Sequence, residues 1–327
     1  MTSVPDPGLV ISLGESDGAA NRGERSEPVG RSELLRPGAA KSASGAQARA
    51  VYELGKPNLS AMVAVSGILG FSVAGRNFDV VMAVVLAMGL WLTSAGACGL
   101  NMVVERDLDR RMRRTEGRPI PSGRLSARSA ITASLLAFLL GFVLLFTFFG
   151  WRPAALSVFT ALVYLFVYTP LKSKGPIATW VGAVPGAVPP VMGWAAATGR
   201  IELPSLALFS VLYFWQIPHF FALAWMYRED YRRGGFDFVP DGADRSIGAQ
   251  MVGGALALLV ASSSLVVMDV AGAFYAVGAA LLGGSYFVST LRLLGSRSPS
   301  RARSVFLWSI AYLPLLLVAL VIDGWIR

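Results

Sequence analysis

The chain has 327 residues, of which 54% are hydrophobic and only 15% charged, with a mean hydropathy of +0.56 and a formal net charge of +9. A soluble domain carries about a quarter charged residues, so this composition excludes an ordinary soluble enzyme. The length would suit one or two soluble domains, but apolar runs near twenty residues read first as transmembrane helices, because a hydrocarbon core of about 30 Å needs about 20 residues at helical rise.

Residues 1–50 come first and differ in kind. They are rich in Ala, Gly, Ser, Arg and Glu, contain no apolar run, and are expected to form a disordered N-terminal tail. The tail lacks the apolar h-region of a secretion signal, and Glu15, Asp17, Glu24, Glu27 and Glu33 argue against an organellar transit peptide. A bacterial inner membrane is therefore expected rather than a mitochondrial one. Residues 51–327 are expected to form one membrane domain.

Nine apolar segments follow, near 59–75, 78–104, 130–150, 153–170, 177–197, 203–227, 247–268, 272–291 and 304–325. The expected fold is an all-α polytopic membrane protein of about nine helices. The fifth segment holds VGAVPGAVPPVMGW (181–194), which fits either a kinked helix beside a cavity or a helix with small residues for close packing. The single cysteine, Cys98, falls inside the second segment. It excludes an intrachain disulfide and suggests no thiolate metal cluster.

Charge is distributed unevenly between the connections. The stretch after the second segment carries Arg106, Arg110, Arg111, Arg113, Arg114, Arg118, Arg124 and Arg128. Later connections on the same side add Lys172 and Lys174, then Arg228, Arg232, Arg233 and Arg245, then Arg292, Arg297, Arg301 and Arg303. The alternate connections hold little beyond Arg76, Arg152 and Arg200. This is the positive-inside pattern. It places the N-terminus in the cytoplasm and, with nine spans, the C-terminus outside. Basic character here reports topology, and nucleic-acid binding is not expected.

The second segment ends in NMVVERDLDRRMRR (101–114). Asn101, Glu105 and Asp109 recur at steps of four and share an arc of about 80° on a helix; Arg113 extends that row. Arg106, Arg110 and Arg114 form a second row, rotated by about 100°. Oxygen donors at this spacing suit a hard cation such as Mg²⁺, and the absence of nearby His or Cys argues against zinc. The alternative is a solvated helix end with pairs such as Asp107–Arg111 and Asp109–Arg113. Glu105 fits that alternative poorly, since its i+4 neighbour is another acid. The continuation TEGRPIPSGRLS (115–126) places Arg118 and Arg124 where they could meet phosphate oxygens, or is only a turn. YTPLKSKGP (168–176) offers Lys172 and Lys174 as point charges for a diphosphate, although taken alone the loop is explained by positive-inside topology.

The sixth segment runs into WQIPHFFALAWMYREDYRRGGFDFVPDGADR (215–245). Pro218 is expected to kink its helix near Gln216 and His219, and Gly234 and Gly235 to end it. His219 is the only histidine; it is either a packing residue with one hydrogen bond or, beside Trp215 and the kink, a substrate contact.

NMVVERDLDRRMRRTEGRPIPSGRLS resembles the first Asp-rich motif of the UbiA-type membrane prenyltransferases, N-x-x-x-[D/E]-x-x-x-D, with its downstream R-P-x-P-S-G. Together with WQIPHFFALAWMYREDYRRGG (215–235), YTPLKSKGP, GAVPGAVPPVMGW (182–194) and LGKP (54–57), it makes residues 53 to 325 most similar, within that superfamily, to the protoheme IX farnesyltransferases. The resemblance implies nine helices around a central cavity open to the cytoplasm, and Mg²⁺ as cofactor. It implies farnesyl diphosphate and haem b as substrates, with farnesyl transfer to the haem vinyl group and addition of water. Carried over by position, Asn101, Glu105 and Asp109 would be the first metal-binding and catalytic set, and Asp230 part of the second. Arg113, Arg118, Lys172, Lys174, Arg228 and Arg232 would contact the diphosphate, and Trp215, Gln216, His219 and Tyr227 the haem. Asp237, Asp241 and Asp244 depart from the family's usual P-M-L-P, and read as local exposed substitutions or as extra ligands. Association with a downstream haem A synthase or oxidase assembly stays open. A transferase acting on a quinone precursor or chlorin is the alternative, disfavoured by WQIPHF and YREDY. A transporter would carry its ionisable groups nearer the midplane.

Overall fold

A computed structural model describes residues 37–75, 79–296 and 298–327. Residues 1–36, where most of the disordered tail is expected, lie outside the described residues, as do Arg76 and Arg297. Helix α1 (Pro37–Leu54) begins inside the stretch expected to be irregular; the alanines spread along it favour helix. Residues 45–327 form one compact unit.

Within that unit the chain continues as α2 (Pro57–Ala74), α3 (Val80–Asp109), α4 (Ala127–Phe149) and α5 (Trp151–Leu162). α5 passes through a π-helical stretch, Val163–Tyr168, into the short α6 (Thr169–Leu171). Then come α7 (Ile177–Ala187), α8 (Pro189–Thr198), α9 (Leu203–Met226), the one-turn α10 (Arg228–Arg233), α11 (Asp244–Val267), α12 (Ala273–Ser296) and α13 (Pro299–Ile326). Among the described residues there is no strand, and eight helices are long and apolar enough to cross a membrane. The polar starts cap as composition suggests: Asp79 accepts the amides of Val81 and Met82, and Ser126 that of Ser129.

The expected fifth segment, near 177–197, is present as two half-length helices, α7 and α8, joined at Val188. Pro189 and Pro190 have no N–H to give the turn before them, so the α-helical ladder stops there. Both readings of this segment hold, because the broken helix is also a close-packing one. A Cβ on Gly193 would lie 1.8 Å from the carbonyl oxygen of Gly67, and one on Gly70 would lie 2.0 Å from that of Pro190. Any side chain there would force α2 and α8 apart.

The outward faces are apolar, as α4 shows with Leu135, Leu136, Leu139 and Leu140 exposed in succession. Such faces suit a hydrocarbon surround rather than water. The inner faces of α2, α3, α5, α7, α8 and α9 enclose a cavity of about 290 Å³.

Candidate active site

The polar end of this cavity is built from the last two turns of α3. Asn101, Glu105 and Asp109 are 0%, 4% and 1% exposed, so the row expected from four-residue spacing exists and faces inward. Glu105 and Asp109 line the cavity. Buried carboxylates need a counter-charge, and each has one. Lys172 Nζ lies 2.5 Å from Glu105 Oε1. Arg118 Nη1 donates to both oxygens of Asp109, at 2.9 and 2.7 Å. Asn101 sits just behind: its Oδ1 accepts from Lys56 Nζ at 3.2 Å and from the Tyr164 hydroxyl at 3.0 Å, and its Nδ2 donates to Thr169 Oγ1 at 2.9 Å. The π-helical stretch, by widening the turn, brings Tyr164 and Thr169 to the same amide.

The helix stops sooner than the row of charges suggests. Beyond Asp109 the amides of Arg111 and Met112 bond back to Leu108 and Asp109 in tight turns, and Thr115 Oγ1 donates to the carbonyl of Asp109 at 2.8 Å. Met112, 2% exposed, turns the chain inward. Two expectations are thereby corrected. Arg113 does not extend the oxygen row; its side chain is exposed. Arg114, placed by helical spacing on the surface row, lines the cavity with its guanidinium 4.9 Å from the Tyr231 ring centre. The pairs Asp107–Arg111 and Asp109–Arg113 do not form among the described salt bridges; Asp107 meets Arg106 and Arg110 instead, at 3.5 Å each.

The later loop packs against the first. Asp230 accepts the backbone amides of Arg113 and Arg114 at 2.9 and 3.4 Å, and the structure does not bring it to the cavity with Glu105 and Asp109. Among the described residues, no three acids, histidines or cysteines gather as a ligand cluster. Arg228 donates to the carbonyls of Val239 and Pro240, at 2.8 and 2.5 Å, and pairs with Asp244 at 3.1 Å and Asp241 at 3.4 Å. Arg232 pairs with Asp241 at 2.5 Å and holds that carboxyl below its usual range. The acids that depart from the family's pattern thus clasp the two arginines expected at the diphosphate; Asp237 is exposed. The clasped loop presents Phe236 and Phe238 to the cavity, against Tyr231. Arg124 is likewise committed, to Glu53 at 2.6 Å and to the carbonyl of Gly117 at 2.7 Å, and Lys174 is exposed. Arg228→Ala is expected to cost about 1–3 kcal/mol and to open residues 234–243 to proteases, whereas Arg232→Ala, with its exposed partner, changes melting little. Thermal unfolding in detergent with limited proteolysis checks this; unchanged stability in Arg228→Ala would refute the clamp.

Of the residues expected at the haem, Gln216 lines the cavity, and its Nε2 donates to the carbonyls of Ala183 and Leu212 at 3.2 and 3.0 Å. His219 instead packs between Trp215 and Phe306, with Nδ1 2.6 Å from Ser309 Oγ. The Trp215 indole N–H donates to the carbonyl of Ser309 at 2.8 Å. Tyr227 is 41% exposed under the Arg114 guanidinium. Trp215, His219 and Tyr227 therefore stand outside the cavity lining.

The residue that spacing missed is Lys56. It lines the cavity, caps α2 from a left-handed backbone (φ 46°), and reaches Tyr164 at 3.4 Å as well as Asn101. In the sequence it stood only as the lysine of LGKP (54–57), at the start of the first span, with no role attached to it. Among the described salt bridges it has no carboxylate partner.

A model of the UbiA prenyltransferase family matches residues 62–310. A protein of Solibacter usitatus named protoheme IX farnesyltransferase is 37% identical over 287 residues, covering 84% of this chain and 98% of its own length. The chain belongs to the UbiA prenyltransferase family. A second relative of the same name, from Koribacter versatilis, is 40% identical over 247 residues, covering 72% of this chain and 79% of its own. The family's fold appears in solved structures too. A digeranylgeranylglyceryl phosphate synthase superposes with a TM-score of 0.73 at 17% identity, over 85% of this chain and 98% of that one. A UbiA homolog from Archaeoglobus fulgidus, bound to GPP and Mg²⁺, gives 0.58 at 15% identity, over 83% and 99%.

Proposed function

We propose that the protein transfers the farnesyl group of farnesyl diphosphate to a vinyl group of haem b, with addition of water, giving haem O and diphosphate. One observation carries the site assignment: two almost fully buried carboxylates and the cations Lys56, Arg114, Arg118 and Lys172 converge at the polar end of an otherwise apolar cavity. The name shared by relatives that align along most of their length with this chain supports the acceptor.

The donor set fits Mg²⁺, since two carboxylates and an amide oxygen on one helix row are hard ligands of the kind that ion takes beside substrate phosphates. Glu105 and Asp109 would hold it, with Asn101 behind them; when bound it would act as a Lewis acid on the leaving diphosphate. The chain's cations do the rest of the neutralising. Lys172, Arg118 and Lys56 are placed to stabilise charge on the departing oxygen, which stabilises the transition state more than the ground state. As the C–O bond breaks, the vinyl π electrons attack the farnesyl carbon. Water then adds to the resulting cation and loses a proton, leaving the hydroxyl. Walls supplied by Phe220, Phe236, Phe238, Leu90 and Met192 would keep other water from quenching the farnesyl cation early.

Asp230 holds the loop after α3 by its two backbone amides, and it serves the site through that loop. The topology is read as a multi-pass inner membrane protein with the N-terminus in the cytoplasm and the C-terminus outside. Contacts joining the loops at 110–126 and 227–243, with Lys172 beside Phe236 at the same end, support a single basic face, and α7 with α8 supplies the ninth crossing. Incubating membranes with haem b and farnesyl diphosphate is expected to yield a heavier, more apolar haem on chromatography. A prenylated product from 4-hydroxybenzoate, with none from haem b, would move the assignment to a quinone-precursor transferase.

A further inference from the structure

Glu105 and Asp109 lie one helical turn apart, where like charges repel unless something positive stands between them. The positive charge at hand comes from two different loops. Lys172, 12% exposed, reaches Glu105 from the stretch after α6, and Arg118, 28% exposed, reaches both oxygens of Asp109 from the turns after α3. Both oxygens of Asp109 and Oε1 of Glu105 are therefore already taken by a nitrogen. Asn101 Oδ1 is taken as well, by Lys56 and Tyr164.

This arrangement has an electrostatic consequence. A divalent cation arriving alone must displace Arg118 from Asp109 and share Glu105 with the Lys172 ammonium, leaving both nitrogens short of counter-charge in a cavity whose lining already has more cations than carboxylates. Such stranded charge is costly. A divalent cation arriving with a diphosphate brings the anionic oxygens that the displaced nitrogens require. Lys172 also has somewhere to swing: its Nζ is 4.7 Å from the Tyr168 ring centre and 5.9 Å from that of Phe236, and aromatic faces accommodate an ammonium leaving its carboxylate. We propose that Lys172 and Arg118 are counter-ion placeholders, which hold the metal-ligand carboxylates before substrate binds and make divalent-cation binding conditional on a diphosphate. This rests on the prenyl diphosphate reading above. It gives these residues a second task, keeping the metal site closed until the substrate supplies its anions.

The test is calorimetric titration of the purified full chain in detergent with Mg²⁺, alone and with saturating inorganic diphosphate. The expected coupling is on the order of tenfold or more in favour of the pair. Lys172→Gln and Arg118→Gln are each expected to tighten the binding of Mg²⁺ alone and to shrink the coupling, while Lys172→Arg retains it. Melting curves give a second readout: Mg²⁺ without diphosphate should raise the melting temperature of Lys172→Gln and leave that of the wild type unmoved. The proposal is overturned if both glutamine variants bind Mg²⁺ alone no more tightly than the wild type, or if the wild type binds Mg²⁺ equally well with and without diphosphate. If the wild type binds no diphosphate under either condition, the prenyl diphosphate reading itself falls and takes this proposal with it.

Discussion

Replacing Asp109 with alanine is expected to abolish farnesyl transfer while leaving the protein folded and in the membrane. Asp109 is 1% exposed, ends α3, and gives both carboxylate oxygens to Arg118. Its loss removes one of the two carboxylates able to hold a cation at the diphosphate and frees Arg118 from its position. Losing a single preorganised electrostatic contact typically costs roughly 10²–10³ in rate; removing a proposed metal ligand together with its aligned arginine should exceed about 10³-fold. Folding should survive for two local reasons. Arg118 is partly exposed and can turn toward solvent, and the turn after α3 is held by Thr115 through the backbone carbonyl of Asp109, which alanine keeps. The measurement is product formation by chromatography, normalised to membrane content by immunoblot. Full activity of Asp109→Ala with Mg²⁺ present would sink the metal assignment.

Asn101, Glu105 and Asp109 were legible in the sequence because they lie on one helix, where register alone decides which side chains share a face. The membrane spans were legible for a similar reason, since length and apolarity are local properties. Arg113 and Arg114 exchanged places because the end of α3 is set by Met112 burying itself and by Thr115 reaching back to Asp109; neither contact has a periodicity. The fates of Arg228 and Arg232 depended on whether Asp241 and Asp244, about ten residues on, would fold back over them. For His219, a kinking proline and a neighbouring tryptophan suggested a cavity, but its ring turns toward α13, where Ser309 and Phe306 meet it. Which side of a buried helix faces a cavity is settled by neighbours distant in sequence. Lys56 illustrates this most fully, because its partners Asn101 and Tyr164 stand 45 and 108 positions away.

Lys56→Met is expected to lower turnover by about 10²-fold with little loss of stability. The lysine occupies a left-handed backbone conformation, φ 46°, directly before Pro57. A residue other than glycine or asparagine is seldom held there without a reason. Its ammonium has an amide oxygen and a phenol for company and lines the same cavity as the Glu105–Lys172 and Asp109–Arg118 pairs. With Arg114, it is one of the two lining cations that no carboxylate answers among the described salt bridges, and it stands beside the Asn101–Glu105–Asp109 row. A unit charge a few ångströms from developing negative charge contributes a few kcal/mol at an effective dielectric near 20, and about 2.7 kcal/mol corresponds to 10²-fold in rate. Methionine keeps the length and apolar stem, and Asn101 Oδ1 still accepts from Tyr164, so the packing cost is small. The kinetic signature separates two roles. If Lys56 acts on the leaving group, kcat falls in Lys56→Met and Lys56→Arg recovers most of it. If it only orients Asn101, Lys56→Gln, which keeps a donor but no charge, recovers activity as well as Arg does. Activity of Lys56→Met within about twofold of the wild type, with an unchanged melting temperature, would remove Lys56 from the site.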